Sequence, residues 1–238
     1  MEESKIDIKV NNYSVQETKS GRKSHWLEKI SYASLLVSVF LLPLFFIPSK
    51  FVSFEFSKVL AIVLGVLISL IFWSLAKIKE GKFEFPATIF SSSTLFVIVI
   101  YFLSSIFSGN KMNSLIGSGF ELGTFGLVFV GFAFMFMISS IFRTKDKIFY
   151  SYIALLISFI VIFFFQTTRL LFGDDFLSFG LFGDITFNTI GKWNDLSIYF
   201  GLIAMLSIVT LELTRLGKLM RFFLHFASLA SLFFISLI

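Results

Sequence analysis

The sequence predicts an all-α protein, a polytopic transmembrane helical bundle of about seven spans with a cytoplasmic N-terminus. Three observations carry that expectation. Hydrophobic residues make up 56% of the 238-residue chain, 36 of them phenylalanine, and the mean hydropathy is +0.90. Soluble domains are about 45–50% apolar even with glycine counted, so a water-soluble fold of this length could not hide so much apolar surface. The apolar residues also form long charge-free runs, of the roughly 17–25 residues that a hydrocarbon layer about 30 Å thick requires. Finally, the basic residues concentrate in alternate connecting segments.

Residues 1–29 are polar and far longer than the basic region that precedes the apolar core of a secretory signal. They read as a disordered cytoplasmic tail without a cleaved leader. Residues 30–238 form the membrane domain. Its first span, Ile30–Ile47, carries Pro43 near its end, where a kink is tolerable if neighbouring groups satisfy the freed carbonyl. Val59–Ala76, Ala87–Phe107 and Thr124–Phe142 are the next three. Ile148–Thr167, Leu196–Leu211 and Phe222–Ile238 complete the set, and none of the seven contains Asp, Glu, Lys or Arg.

Orientation follows from Lys and Arg, which are retained on the cytoplasmic side during insertion. The tail (Lys5, Lys9, Lys19, Arg22, Lys23, Lys29) and the loops bearing Lys77, Lys79 and Lys82, Arg143, Lys145 and Lys147, and Arg215, Lys218 and Arg221 hold fifteen. The alternate segments hold five: Lys50, Lys58, Lys111, Arg169 and Lys192. This places Pro48–Lys58, Ser108–Gly123 and Arg169–Asp195 outside. It also accounts for the net charge of +5 and the pI near 9.4, because juxtamembrane basic residues meet anionic headgroups. Membrane lipids are therefore expected partners, and nucleic acid is not. Cysteine is absent, which excludes disulfides and thiolate metal sites.

The longest outer segment, "RLLFGDDFLSFGLFGDITFNTIGKWND", interleaves aromatic residues with glycines and four aspartates. Such a composition suits a stretch lying in the membrane interface, as a lid or wall over a lipid-headgroup site. An ordinary aromatic belt is the plainer reading. Asn194 and Asp195 are expected to cap the sixth helix, as Asn and Asp commonly do, which does not exclude a functional role.

The passage "FNTIGKWNDLSIYFGL" resembles the loop-to-helix transition of the O-antigen ligase and O-antigen polymerase family. The stretches "YFLSSIFSGNKMNSLIGSGFELGTFGLVFV" and "PLFFIPSKFVSFEFSKVLAIVLGVL" are similar to other parts of that family's N-terminal half, so the resemblance covers about Ser31 to Leu216. It implies a multi-pass glycosyltransferase of the bacterial cytoplasmic (inner) membrane. Such enzymes build cell-surface polysaccharide at the outer face from a polyprenyl-diphosphate-linked glycan donor and a lipid or glycan acceptor, without metal or cofactor. Because the family's principal catalytic loop lies beyond the matched part, the chain is expected to be an N-terminal portion, and its catalytic residues are unknown.

Transfer from a diphosphate needs cations on the leaving group and a base on the acceptor hydroxyl. Arg169 is the first candidate for diphosphate contact, since a guanidinium can hold phosphate bidentately; Lys192 and Lys111 follow. As span-flanking residues they also suit interfacial anchoring. Asn188, Asn194, Asp195 and Glu121 are the polar candidates of the outer loops. Asp174 and Asp175 lack a third ligand nearby, so no metal is expected. A transporter of a neutral or lipid-linked solute is the first rival, although charge-free spans lack the buried ionisable groups of ion-coupled carriers. A non-catalytic membrane scaffold is the second.

Overall fold

The computed structural model describes residues 25–49, 54–81, 89–117, 123–173, 175–180, 182–184, 186–214 and 216–237, and these are helical wherever they are regular. The helices are α1 (25–41), α2 (Phe54–Glu80), α3 (Ile89–Ile106), α4 (Lys111–Leu115), α5 (Phe125–Ile141), α6 (Lys145–Phe172), α7 (Trp193–Leu213) and α8 (Lys218–Leu237). Every expected apolar run therefore contains a helix. Of these, α2, α6, α7 and α8 are long and apolar enough to cross a membrane, while α3 and α5 are shorter apolar helices. The chain is an all-α membrane protein with transmembrane helices.

Several boundaries differ from expectation. Instead of kinking at Pro43, α1 stops at residue 41 and the chain turns over 42–44, with Leu44 and Phe45 donating to the Leu41 carbonyl. A proline crowds the residue before it out of helical geometry. The helix also begins at residue 25, inside the stretch expected to be tail. Elsewhere helices outrun the charge-free stretches, α2 by a turn at each end, so that it takes in Lys58 and Lys77; a helix end tolerates such residues because their long stems are apolar while the charged head reaches water.

The chain divides into two compact units. The first comprises residues 1–39 and 59–151. Its core joins α1, α2 and α5 through Leu35, Val66, Trp73, Met137 and Ile141. Small residues let α1 and α2 approach closely: Ser31 Oγ bonds Ser69 at 2.8 Å, and Ser34 Oγ donates to the Gly65 carbonyl at 3.0 Å. A Cβ on Gly65 would lie 1.7 Å from Ser38 Oγ and 2.9 Å from its Cβ. Between helices in lipid, where no hydrophobic force separates helix from solvent, such small-residue packing and interhelical hydrogen bonds supply the attraction.

The second unit comprises residues 40–58 and 152–238. Here α6, α7 and α8 meet around Phe159, Ile162, Leu196, Phe200, Ile203, Ala227 and Phe234. Phe200 stacks on Phe234 at 4.8 Å between centroids and meets Phe159 edge-on at 5.8 Å. A buried hydrogen bond of 2.8 Å joins Ser158 to the Tyr199 hydroxyl. The loop from α6 to α7, residues 173–192, belongs to this unit and carries most of the residues of functional interest.

Candidate functional site

The centre of the second unit's loop region is Arg169, in the last turn of α6. It is fully buried, at 0% exposure. Its guanidinium Nη2 donates to the carbonyls of Phe182 at 3.1 Å and Asp184 at 3.0 Å, and Nη1 donates to that of Phe187. The faces of Phe182 and Phe165 lie 5.5 and 5.9 Å from its carbon centre. A planar fork with five N–H donors fits this task. One side chain thus gathers three carbonyls from a stretch of six residues and folds the loop over itself.

The loop's own side chains complete the shape. Asp184 Oδ1 accepts from Thr186 N at 3.0 Å, closing a turn. Asn188 is 1% exposed, and its Oδ1 accepts from Ile190 N at 2.9 Å and Gly191 N at 3.2 Å. Its Nδ2 is buried without a hydrogen-bond partner, as is Thr189 Oγ1. Phe182, buried, is ringed by Phe46, Phe165 and Phe179 at 5.3, 5.7 and 6.5 Å. Leu177 and Phe179 adopt left-handed φ values of 56° and 49°, which L residues with side chains of this size avoid; the Phe179 ring lies 6.2 Å from that of Phe46 and 6.5 Å from that of Phe182.

At the entry to α7 the capping arrangement differs from expectation. Lys192, rather than Asn194 or Asp195, occupies the N-cap position. Asp195 sits three residues on and reaches back, its Oδ2 accepting from Lys192 N at 2.9 Å, which is half of a capping box. Gly191 is required beside it, since a Cβ there would fall 2.5 Å from Asp195 Oδ2. Asn194 is exposed, and so is the side chain of Lys192. Lys58, from the first turns of α2, reaches the Leu42 carbonyl at 3.4 Å and feels the charge of Asp195.

The fold therefore brings Arg169, Asn188, Lys192, Asn194 and Asp195 into one region of one unit. Lys111 begins α4 in the other unit, exposed, and Glu121 and Asp174 lie outside the described residues. Lys58, expected from the sequence only as one of the outer basic residues, joins this region, and the buried Gln166, a turn before Arg169, is a polar residue that the reading of charge-free runs passed over. A second feature passed over is a cavity of about 360 Å³ in the first unit, lined by Tyr101, Ser104, Ser105, Ser108, Asn113, Ser114 and Thr124. Ser114 Oγ bonds Ser108 Oγ at 2.7 Å across it. Its trace in the sequence is the serine density of "YFLSSIFSGNKMNS".

No protein-family model, curated protein or solved structure matches the chain.

Proposed function

We propose that the chain is the glycan-handling part of a cytoplasmic-membrane glycosyltransferase of the O-antigen ligase and polymerase type. In this reading the shorter helices α1, α3 and α5 cross the bilayer along with the four long ones, the N-terminus is cytoplasmic, and loop 173–192 faces outward. The donor is a polyprenyl-diphosphate-linked glycan. An acceptor hydroxyl attacks the anomeric carbon, the bond from that carbon to the diphosphate oxygen breaks, polyprenyl diphosphate leaves, and the hydroxyl proton passes to the departing diphosphate or to water.

One observation carries the reading: a buried guanidinium folds the loop into a fixed surface and leaves the Lys192 side chain exposed on its rim. A catalytic surface for a charged headgroup gains from being preorganised before the substrate arrives. Lys192 is then the contact for the diphosphate. Arg169, committed to three carbonyls, is a positioning residue. Asp184 and Asp195 hold a turn and a helix start, so neither is assigned as the base. The hydroxyl-lined cavity of the first unit has the chemistry that sugar hydroxyls match.

The test is the surface glycan of cells whose chromosomal copy carries Lys192→Ala or Lys192→Arg. At least a tenfold fall in surface glycan, with lipid-linked donor accumulating at the outer face, is expected for Lys192→Ala, and substantial retention for Lys192→Arg. Unchanged glycan and donor in Lys192→Ala would overturn the proposal. Donor accumulating on the inner face instead would replace it with a carrier.

A further inference from the structure

One end of the first unit gathers the start of α1, the ends of α2 and α5, and the start of α6. Between them lies a cavity of about 170 Å³, lined by Glu28, Trp73, Lys77, Ser140, Arg143 and Lys147. A cavity of about 150 Å³ accommodates benzene, with six heavy atoms, so this one has room for a phosphate group, with five. Three cations and one carboxylate line it, a net charge of two positive.

The carboxylate is already engaged. Glu28 Oε1 accepts from Lys77 Nζ at 3.1 Å, and Lys77 also holds Glu80 at 2.7 Å. Lys147 is fixed above the cavity by the Ile141 carbonyl at 3.1 Å and the ring of Tyr32 at 5.6 Å. The Ser140 hydroxyl is buried in the lining with no hydrogen-bond partner. A donor buried without an acceptor costs free energy, and an acceptor-rich anion in the cavity would relieve it. We infer that this cavity binds a phosphate group, with Arg143 and Lys147 as the charged contacts and Ser140 donating to a phosphate oxygen. Two sources offer that chemistry: the headgroup of an anionic membrane lipid and soluble inorganic phosphate. Basic pockets between membrane helices are recurrent sites for anionic headgroups.

The experiment uses the full chain, purified in neutral detergent and then delipidated. One arm adds inorganic phosphate; the other adds phosphatidylglycerol, with phosphatidylcholine as the neutral comparison. Bound ligand is counted by native mass spectrometry. Binding of phosphatidylglycerol but not phosphatidylcholine identifies the headgroup, and binding of inorganic phosphate alone identifies the soluble ion. In either arm, Arg143→Gln with Lys147→Gln should weaken binding at least tenfold, and Ser140→Ala several-fold. Glu28→Gln should tighten it several-fold by removing the opposing charge, a gain that misfolding cannot produce. Binding in neither arm, or Glu28→Gln binding no tighter than the wild type, would overturn the inference.

Discussion

Arg169 sets the chemistry of its surroundings through what it satisfies. Removing a guanidinium from water costs several kcal/mol, and hydrogen bonds to a charged donor return about 1.5–3 kcal/mol each. Three carbonyls and two aromatic faces therefore make the buried charge sustainable, while the charge in turn satisfies backbone that a loop near the membrane could not leave bare. Arg169→Met should orphan all three carbonyls, at about 1–3 kcal/mol apiece. The expected readout is local: hydrogen exchange at the amides of Phe182 and Phe187 speeds up by at least a hundredfold while the α7 and α8 core keeps its protection. Arg169→Lys should rescue little, since an ammonium cannot present a planar fork. Loop protection equal to that of the wild type in Arg169→Met would show that the loop is held by other means.

The importance of Arg169 was legible at this scale, as an arginine closing a charge-free run, but its partners were not. Backbone carbonyls carry no sequence signature, so a guanidinium that binds a ligand and one that binds its own loop look alike in the sequence. Asp195 was legible as a helix-start residue. Its register was not, because Asn194 and Asp195 stand together and either could have been read as the first cap. That Asp195 reaches back to Lys192 follows from Gly191, whose missing Cβ makes the room.

Among elements, hydropathy located the helices well and their contacts poorly. The seven apolar runs each contain a helix, but a search for apolar residues is blind to the serines that join α1 to α2. Ser31, Ser34 and Ser38 recur at helical spacing opposite Gly65 and Ser69, a pattern of small residues and not of hydrophobicity. The short helix α4 escaped notice because five residues give no periodicity to read. The close approach at Gly65 makes a firm prediction: Gly65→Leu must push α1 away from α2, losing both serine bonds. Overpacking of this kind costs about 1–3 kcal/mol, so the thermal midpoint of the purified protein should fall by several degrees. Gly65→Ala, which needs only rotation of Ser38 and a small shift, should cost less. Equal midpoints for Gly65→Leu and wild type would refute the tight α1–α2 seam.

For the whole molecule, the informative feature is where the apolar surface points. Ile78 and Leu229 are 75% and 68% exposed, and large apolar side chains are exposed along α2, α6, α7 and α8. Soluble proteins rarely show contiguous apolar patches beyond a few hundred Å², whereas a lipid-facing surface must be of this kind. Composition alone made this legible. The side occupied by each loop rests on the distribution of lysine and arginine, fifteen against five, and on the length of the helices between. At about 1.5 Å per residue, the 21 residues of α7 extend about 31 Å, the thickness of the hydrocarbon layer. That length suffices to cross the bilayer, and the proposed topology then puts loop 173–192 and the far end of α7 in opposite compartments.

The absence of native cysteine makes that claim directly measurable with single replacements at two exposed positions, Asp175→Cys in the loop and Glu212→Cys at the other end of α7. In intact cells a membrane-impermeant maleimide should label Asp175→Cys, and Glu212→Cys should be labelled only after permeabilisation. Labelling of both positions from the same side, or of Glu212→Cys alone in intact cells, would contradict a spanning α7 with its aromatic loop on the outer face.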